Sequence, residues 1–153
     1  MEKIKVTMKI GDIFRLSEGQ KSLSAQKQKP VFRYALSAFK QVVENERNLI
    51  VEAGLATDPK IIDIQREFDI ISAKNIKMEE KIKMANEIRE ENKELLEKDI
   101  ETQKELEKVL SGEKEFEFIK LEKNLVDINV DYSETEWECI LLLTGLTEEE
   151  LIC

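Results

Sequence analysis

The residues of this sequence that could do chemistry are unevenly supplied. Its 153 residues include 33 Asp or Glu and 24 Lys or Arg, but only two cysteines and no histidine. Without histidine there is no Ser-His-Asp arrangement, no imidazole acid–base catalysis and no imidazole-ligated metal. Cys139 and Cys153 lack the paired spacing of a zinc or redox motif. Cys139 falls in an apolar run and reads as a buried structural thiol, because a reactive thiolate needs an electropositive setting. Asp127, Asn129 and Asp131 alternate and would offer oxygens to Ca²⁺ or Mg²⁺ from one strand face. They lack the following Gly and distal Glu of an EF-hand loop, so a solvated face is the expectation. No P-loop, G-x-G-x-x-G or G-x-S-x-G occurs. The expectation is a non-enzymatic protein with no catalytic residues, no metal site and no cofactor.

What remains is a binding chemistry, carried by basic residues. Residues 1–40 hold nine Lys or Arg against three acids, a net +6 that leaves −15 for the other 113 residues. Lys21, Lys27, Lys29 and Arg33 lie before or within the first turn of a helix expected to open at Pro30. Helix N-termini carry unpaired N–H groups and partial positive charge, so anions settle there. Ser22, Ser24, Gln26 and Gln28 would add hydrogen bonds. This segment is the candidate anion site, for a phosphate-bearing small molecule, an acidic protein patch or the acidic helices of a neighbouring subunit. A solvated loop that merely offsets the acidic remainder is the alternative. The acidic bulk argues against wrapping duplex nucleic acid, which needs an extended basic face.

Elements must hold that segment in place. Ile4, Val6, Met8 and Ile10 alternate with Lys3, Lys5, Thr7 and Lys9, which predicts a strand with one apolar and one basic face. Asp12 would cap a short helix bearing Ile13, Phe14 and Leu16, followed by a polar loop to Lys29. Phe32, Leu36, Phe39, Val43 and Ile50 predict a helix over about 31–54, and Gly54 and Asp58-Pro59 mark the next boundary. Ile61, Ile64, Phe68, Ile71, Asn75, Met78, Ile82 and Ala85 step by three and four in a heptad seam with one polar member. The helical pattern runs to Leu110, and about 50 residues at 1.5 Å each would span ~75 Å if unbroken. The preceding helix is too short to cover that length. The pattern therefore predicts either a break between Ala85 and Leu95 or cover from another chain. Ile71, Asn75, Met78, Ile82, Leu95 and Leu96 are the expected oligomer interface, with Asn75 setting register.

After Ser111-Gly112, Phe116, Phe118, Ile128 and Val130 suggest two short strands around Lys123-Asn124. Ser133-Glu134-Thr135-Glu136 has the form of a capping box opening a helix that ends at Gly145, and Thr147 to Glu150 repeats the pattern. The expected architecture is an α+β fold, predominantly α: a long antiparallel helical hairpin over 30–110 and a small antiparallel sheet formed by the N-terminal strand and a C-terminal hairpin. One domain over 1–153 is expected. No apolar run approaches a membrane span and the first residues are no signal peptide, so a cytoplasmic protein is expected.

Met8-Lys9-Ile10-Gly11-Asp12-Ile13-Phe14-Arg15-Leu16, the basic stretch after it, and Pro30-Val31-Phe32-Arg33-Tyr34-Ala35-Leu36 resemble small uncharacterised proteins encoded by tailed phages. The likeness covers about the first 40 residues and the general layout. It implies an accessory protein of the host-cell cytoplasm that acts by binding, either blocking a host factor or sequestering an anionic nucleotide signal used in antiviral defence. The reading from another class is a structural or assembly protein whose helices form a homo-oligomer.

Overall fold

The computed structural model describes all 153 residues, Met1–Cys153. Its elements in chain order are β1 (Lys3–Lys9), α1 (Ile10–Ser24), α2 (Pro30–Glu52), α3 (Pro59–Ala73), α4 (Met78–Glu91), α5 (Lys93–Ser111), β2 (Glu113–Ile119), a 3-10 turn (Lys123–Leu125), α6 (Glu134–Thr144) and α7 (Glu148–Ile152). The fold is α+β and mostly α. The chain separates into two compact units, Met1–Leu49 with Val109–Cys153, and Ile50–Lys108, where a single domain was expected.

The first unit is built on a two-stranded antiparallel sheet. β1 pairs with β2 in the register Lys3↔Ile119 to Lys9↔Glu113. The alternation of both strands sets Ile4 and Val6 opposite Phe118 and Phe116 on one face. Lys5 and Lys9 stand opposite Glu117 and Glu113 on the other. Lys3 also reaches Glu117 at 3.2 Å. Cross-strand pairs of opposite charge contribute a few tenths of a kcal/mol each, up to about 1. The apolar face meets a core in which Ile13, Leu23, Phe32, Phe39, Cys139, Ile140 and Leu143 are fully buried. Phe39 and Phe118 stack with ring centroids 5.2 Å apart. The expected second C-terminal strand is absent: residues 128–130 lie in a turn opened by Asp127, whose carboxylate accepts the Asn129 N–H at 3.0 Å. An aspartate that bonds the backbone two residues on competes with strand formation, which is why the alternation there misled.

α1 corrects a second expectation. It runs fifteen residues, not one turn followed by a loop, and its cap residue is Lys9 rather than Asp12. Its buried face reads Ile13, Leu16, Ser17, Gly19, Gln20, Leu23. The helical period continues past Leu16, but half of its members are small or polar, so hydrophobicity alone does not reveal it. Gly19 is there for close approach: a Cβ would stand 2.5 Å from the Thr135 carbonyl oxygen, so α1 meets the start of α6 backbone to backbone. α6 opens at Ser133 with a complete capping box, as its S-x-x-E spacing predicts, and α7 repeats this at Thr147.

In the second unit the expected long helix is three helices. One break falls at Asn92, inside the predicted Ala85–Leu95 interval. Asn92 has non-helical dihedrals, and both its N–H and its side-chain amide close on the Ile88 carbonyl. The other lies at residues 74–77, within the heptad seam. There Lys74 and Lys77 are extended, and α4 folds back against α3. Lys81 Nζ donates to the Ser72 carbonyl at 2.8 Å, and Arg89 lies over the Phe68 ring at 5.3 Å. Heptad spacing is equally satisfied by one helix and by two whose apolar stripes face each other, so periodicity could not place this turn. No helix is long and apolar enough to cross a membrane.

Candidate interaction surfaces

The four residues of the candidate anion site divide between elements. Lys21 belongs to the last turn of α1 and pairs with Glu18 at 3.6 Å. Lys27 and Lys29 lie in the short connector to α2, and Arg33 in the first turn of α2, where its N–H donates to the Lys29 carbonyl. All four are exposed, and Lys27, Lys29 and Arg33 have no ion pair.

The polar groups expected to help them are engaged elsewhere, chiefly by Glu136, a carboxylate only 6% exposed. Gln26 Nε2 donates to Glu136 Oε2 and the Ser133 N–H donates to Glu136 Oε1 at 2.9 Å. Burial pushes the Glu136 pKa up, but these bonds to its charged form outweigh burial and hold it below the ordinary glutamate value. Ser24 Oγ accepts from Gln20, and Gln28 Nε2 donates to the Leu23 carbonyl. The segment is thus a fastening between α1, the connector and α6. What it offers an anion is three exposed cations, with the Gln26 and Gln28 amides already engaged within the protein.

The expected interface residues also separate. Ile71 is 6% exposed and packs inside the helical unit, so it is withdrawn from any interface. Asn75 lies in the turn between α3 and α4 and cannot set register on a seam. Leu95 and Leu96 are half-buried. Met78 and Ile82 remain open at 67% and 53%. Neither α4 nor α5 has a buried residue, and Ile100 on α5 is 56% exposed.

One cavity of about 310 Å³ went unread in the sequence. It lies between the Gly54–Pro59 segment and α5, with Ile61, Leu95, Asp58, Lys98, Asp99 and Thr102 in its walls. Leu95, Asp99 and Thr102 are spaced four and three apart, the only sequence signal that they share a face. The volume is at the lower end for small-molecule sites.

The buried Cys139 thiol offers no reactive centre. Burial pushes the Cys139 pKa up to about 12, which keeps it protonated, and Cys153 is exposed at the terminus. No buried side-chain nitrogen or oxygen lacks a hydrogen-bond partner. Comparison of the chain with protein-family models, curated proteins and solved structures finds no match.

Proposed function

We propose that this is a non-catalytic interaction protein that self-associates through α4 of its helical unit. The observation that carries the proposal is that α4 buries none of its side chains yet presents Met78 and Ile82 to solvent. Met78 and Ile82 stand one turn apart on one helix face, so a second copy packed by twofold symmetry covers this apolar surface with its own identical pair. The lack of histidine and the fixed, protonated Cys139 support the non-catalytic part of the reading. Likeness to phage accessory proteins adds a purpose: the assembled protein blocks a host factor.

Sedimentation velocity over a concentration series is the test. We expect a concentration-dependent dimer that Met78→Glu with Ile82→Glu weakens at least ~10-fold, since each change buries an unpaired charge in an apolar contact. The same double variant keeps its helical circular dichroism, because neither residue is part of the core. A strict monomer at every concentration sinks the proposal.

A second reading rests on Lys27, Lys29 and Arg33, three cations without partners in a chain of net charge −9. It makes the protein a sequestering agent for an anionic nucleotide. Calorimetry with cyclic and ADP-ribose-type nucleotides tests it. Heat that disappears in the Lys27→Glu, Lys29→Glu, Arg33→Glu variant supports it, and no heat at high micromolar ligand removes it.

A further inference from the structure

The two-stranded sheet has two open edges, and they are not equivalent. The Lys120 N–H donates to the Glu2 carbonyl and the Ile10 N–H to the Gly112 carbonyl, both in the register of the β1–β2 pair. Antiparallel ladders alternate, so the even-numbered residues of β1 turn their backbone groups toward β2. Lys3, Lys5 and Thr7 therefore aim their N–H and C=O groups away from β2, and no other backbone accepts or supplies a bond there. Only β2 and the adjoining α1 pack broadly along β1.

The side chains distinguish the edges further. On β2 the inward-facing Phe116 and Phe118 are buried. On β1 the corresponding Ile4, Val6 and Met8 reach only half-burial, although they pack on the same core. The apolar face is thus left incomplete on the β1 side, where the ladder is also unpaired. The outer face there is basic, with Lys3, Lys5 and Lys9 exposed. Lysines on an edge deter a second identical edge, because β1 against β1 would set lysine against lysine.

We infer that the free edge of β1 is a docking site for an extended segment of another protein, one in which acidic residues alternate with apolar ones. Such a strand pairs with the outward backbone groups of Lys3, Lys5 and Thr7. It sets its acids beside Lys3, Lys5 and Lys9 and lays its apolar residues next to Ile4, Val6 and Met8. Strand addition of this kind draws affinity from main-chain hydrogen bonds and specificity from alternate side chains. β2 already presents this pattern on the other side of β1, as Glu113, Glu115 and Glu117 alternating with Phe116 and Phe118.

The probe is a capped seven-residue peptide alternating glutamate and valine, titrated into the full chain and followed by amide hydrogen exchange. The expected result is slowed exchange at Lys5 and Thr7, with the lysine–valine counterpart at least ~10-fold weaker because like charges then face each other. Thr7→Pro removes an outward N–H that no native bond uses, and edge positions tolerate proline. It should abolish the protection while circular dichroism is unchanged. Should Thr7→Pro disturb the sheet, Lys5→Thr keeps the backbone intact and should weaken the acidic peptide about threefold, the size of one exposed ion pair. Equal binding of both peptides, or no change at Lys5 and Thr7, overturns the inference. So does protection of the same amides by the chain alone at high concentration, which would give the edge to a second copy.

Discussion

The two units of this chain use their apolar residues in different ways. In Met1–Leu49 with Val109–Cys153, aromatic and branched side chains converge on one cluster, from Ile13 and Phe32 through Phe118 to Leu143 and Leu151. In Ile50–Lys108, only Ile61, Ile64 and Ile71 are buried, while Ile62, Ile70, Met78, Ile82 and Ile100 stay open. The difference does not come from a shortage of apolar residues in the helical unit. Amphipathic helices without a sheet beneath them have a single stripe to bury, and a unit of this size buries a smaller share of its surface. The first unit is a folded platform, whereas the second leaves apolar side chains open to solvent.

The largest effect expected from this contrast is on stability. Phe39→Ala removes a ring from the stack on Phe118 and should cost ~3–5 kcal/mol, whereas Ile62→Ala, on the open face of α3, should cost under ~0.5 kcal/mol. Urea unfolding of both variants measures the difference; equal losses would erase the distinction. Smaller, but of unexpected sign for a helix, is Gly19→Ala. Alanine is a better helix former by about 1 kcal/mol, yet its Cβ meets the Thr135 carbonyl, so the variant should be less stable by ~1–3 kcal/mol. A stabilised Gly19→Ala would show that α1 and α6 are not in backbone contact.

The smallest expected effect is a pH dependence confined to the platform. The pKa of Glu136 is lowered by folding, so its contribution is complete above the ordinary glutamate value near ~4.3 and is lost as pH falls through the lower folded value. Glu136→Gln should flatten that acid limb of the stability curve. Cys139 works in the opposite direction. Its folded pKa of about 12 exceeds that of the unfolded thiol, so stability is full below the unfolded pKa and declines as pH rises above it. Cys139→Ser tests this limb, and an unchanged alkaline slope would exclude the thiol as its cause.

Much of this could be read from residues and spacing. The β1 alternation, the Pro30 start and Gly54 end of α2, the Asp58-Pro59 start of α3 and both capping boxes rest on local chemistry, where a few neighbouring atoms decide the backbone. The absence of histidine and the uneven charge are likewise properties of composition. Other features needed the folded chain. The length of α1 is set by a face containing Ser17, Gly19 and Gln20, whose burial makes sense only once α6 lies against them. The turn at residues 74–77 depends on α4 finding α3, a contact that a heptad count cannot place. The basic segment shows the division most clearly: its charges are evident in sequence, but the Gln26 amide proves to serve Glu136 and the Gln28 amide the Leu23 carbonyl. Local spacing determines which backbone a residue prefers. Only tertiary packing decides which polar groups are consumed within the protein and which are left for a partner, because that depends on atoms far apart in sequence.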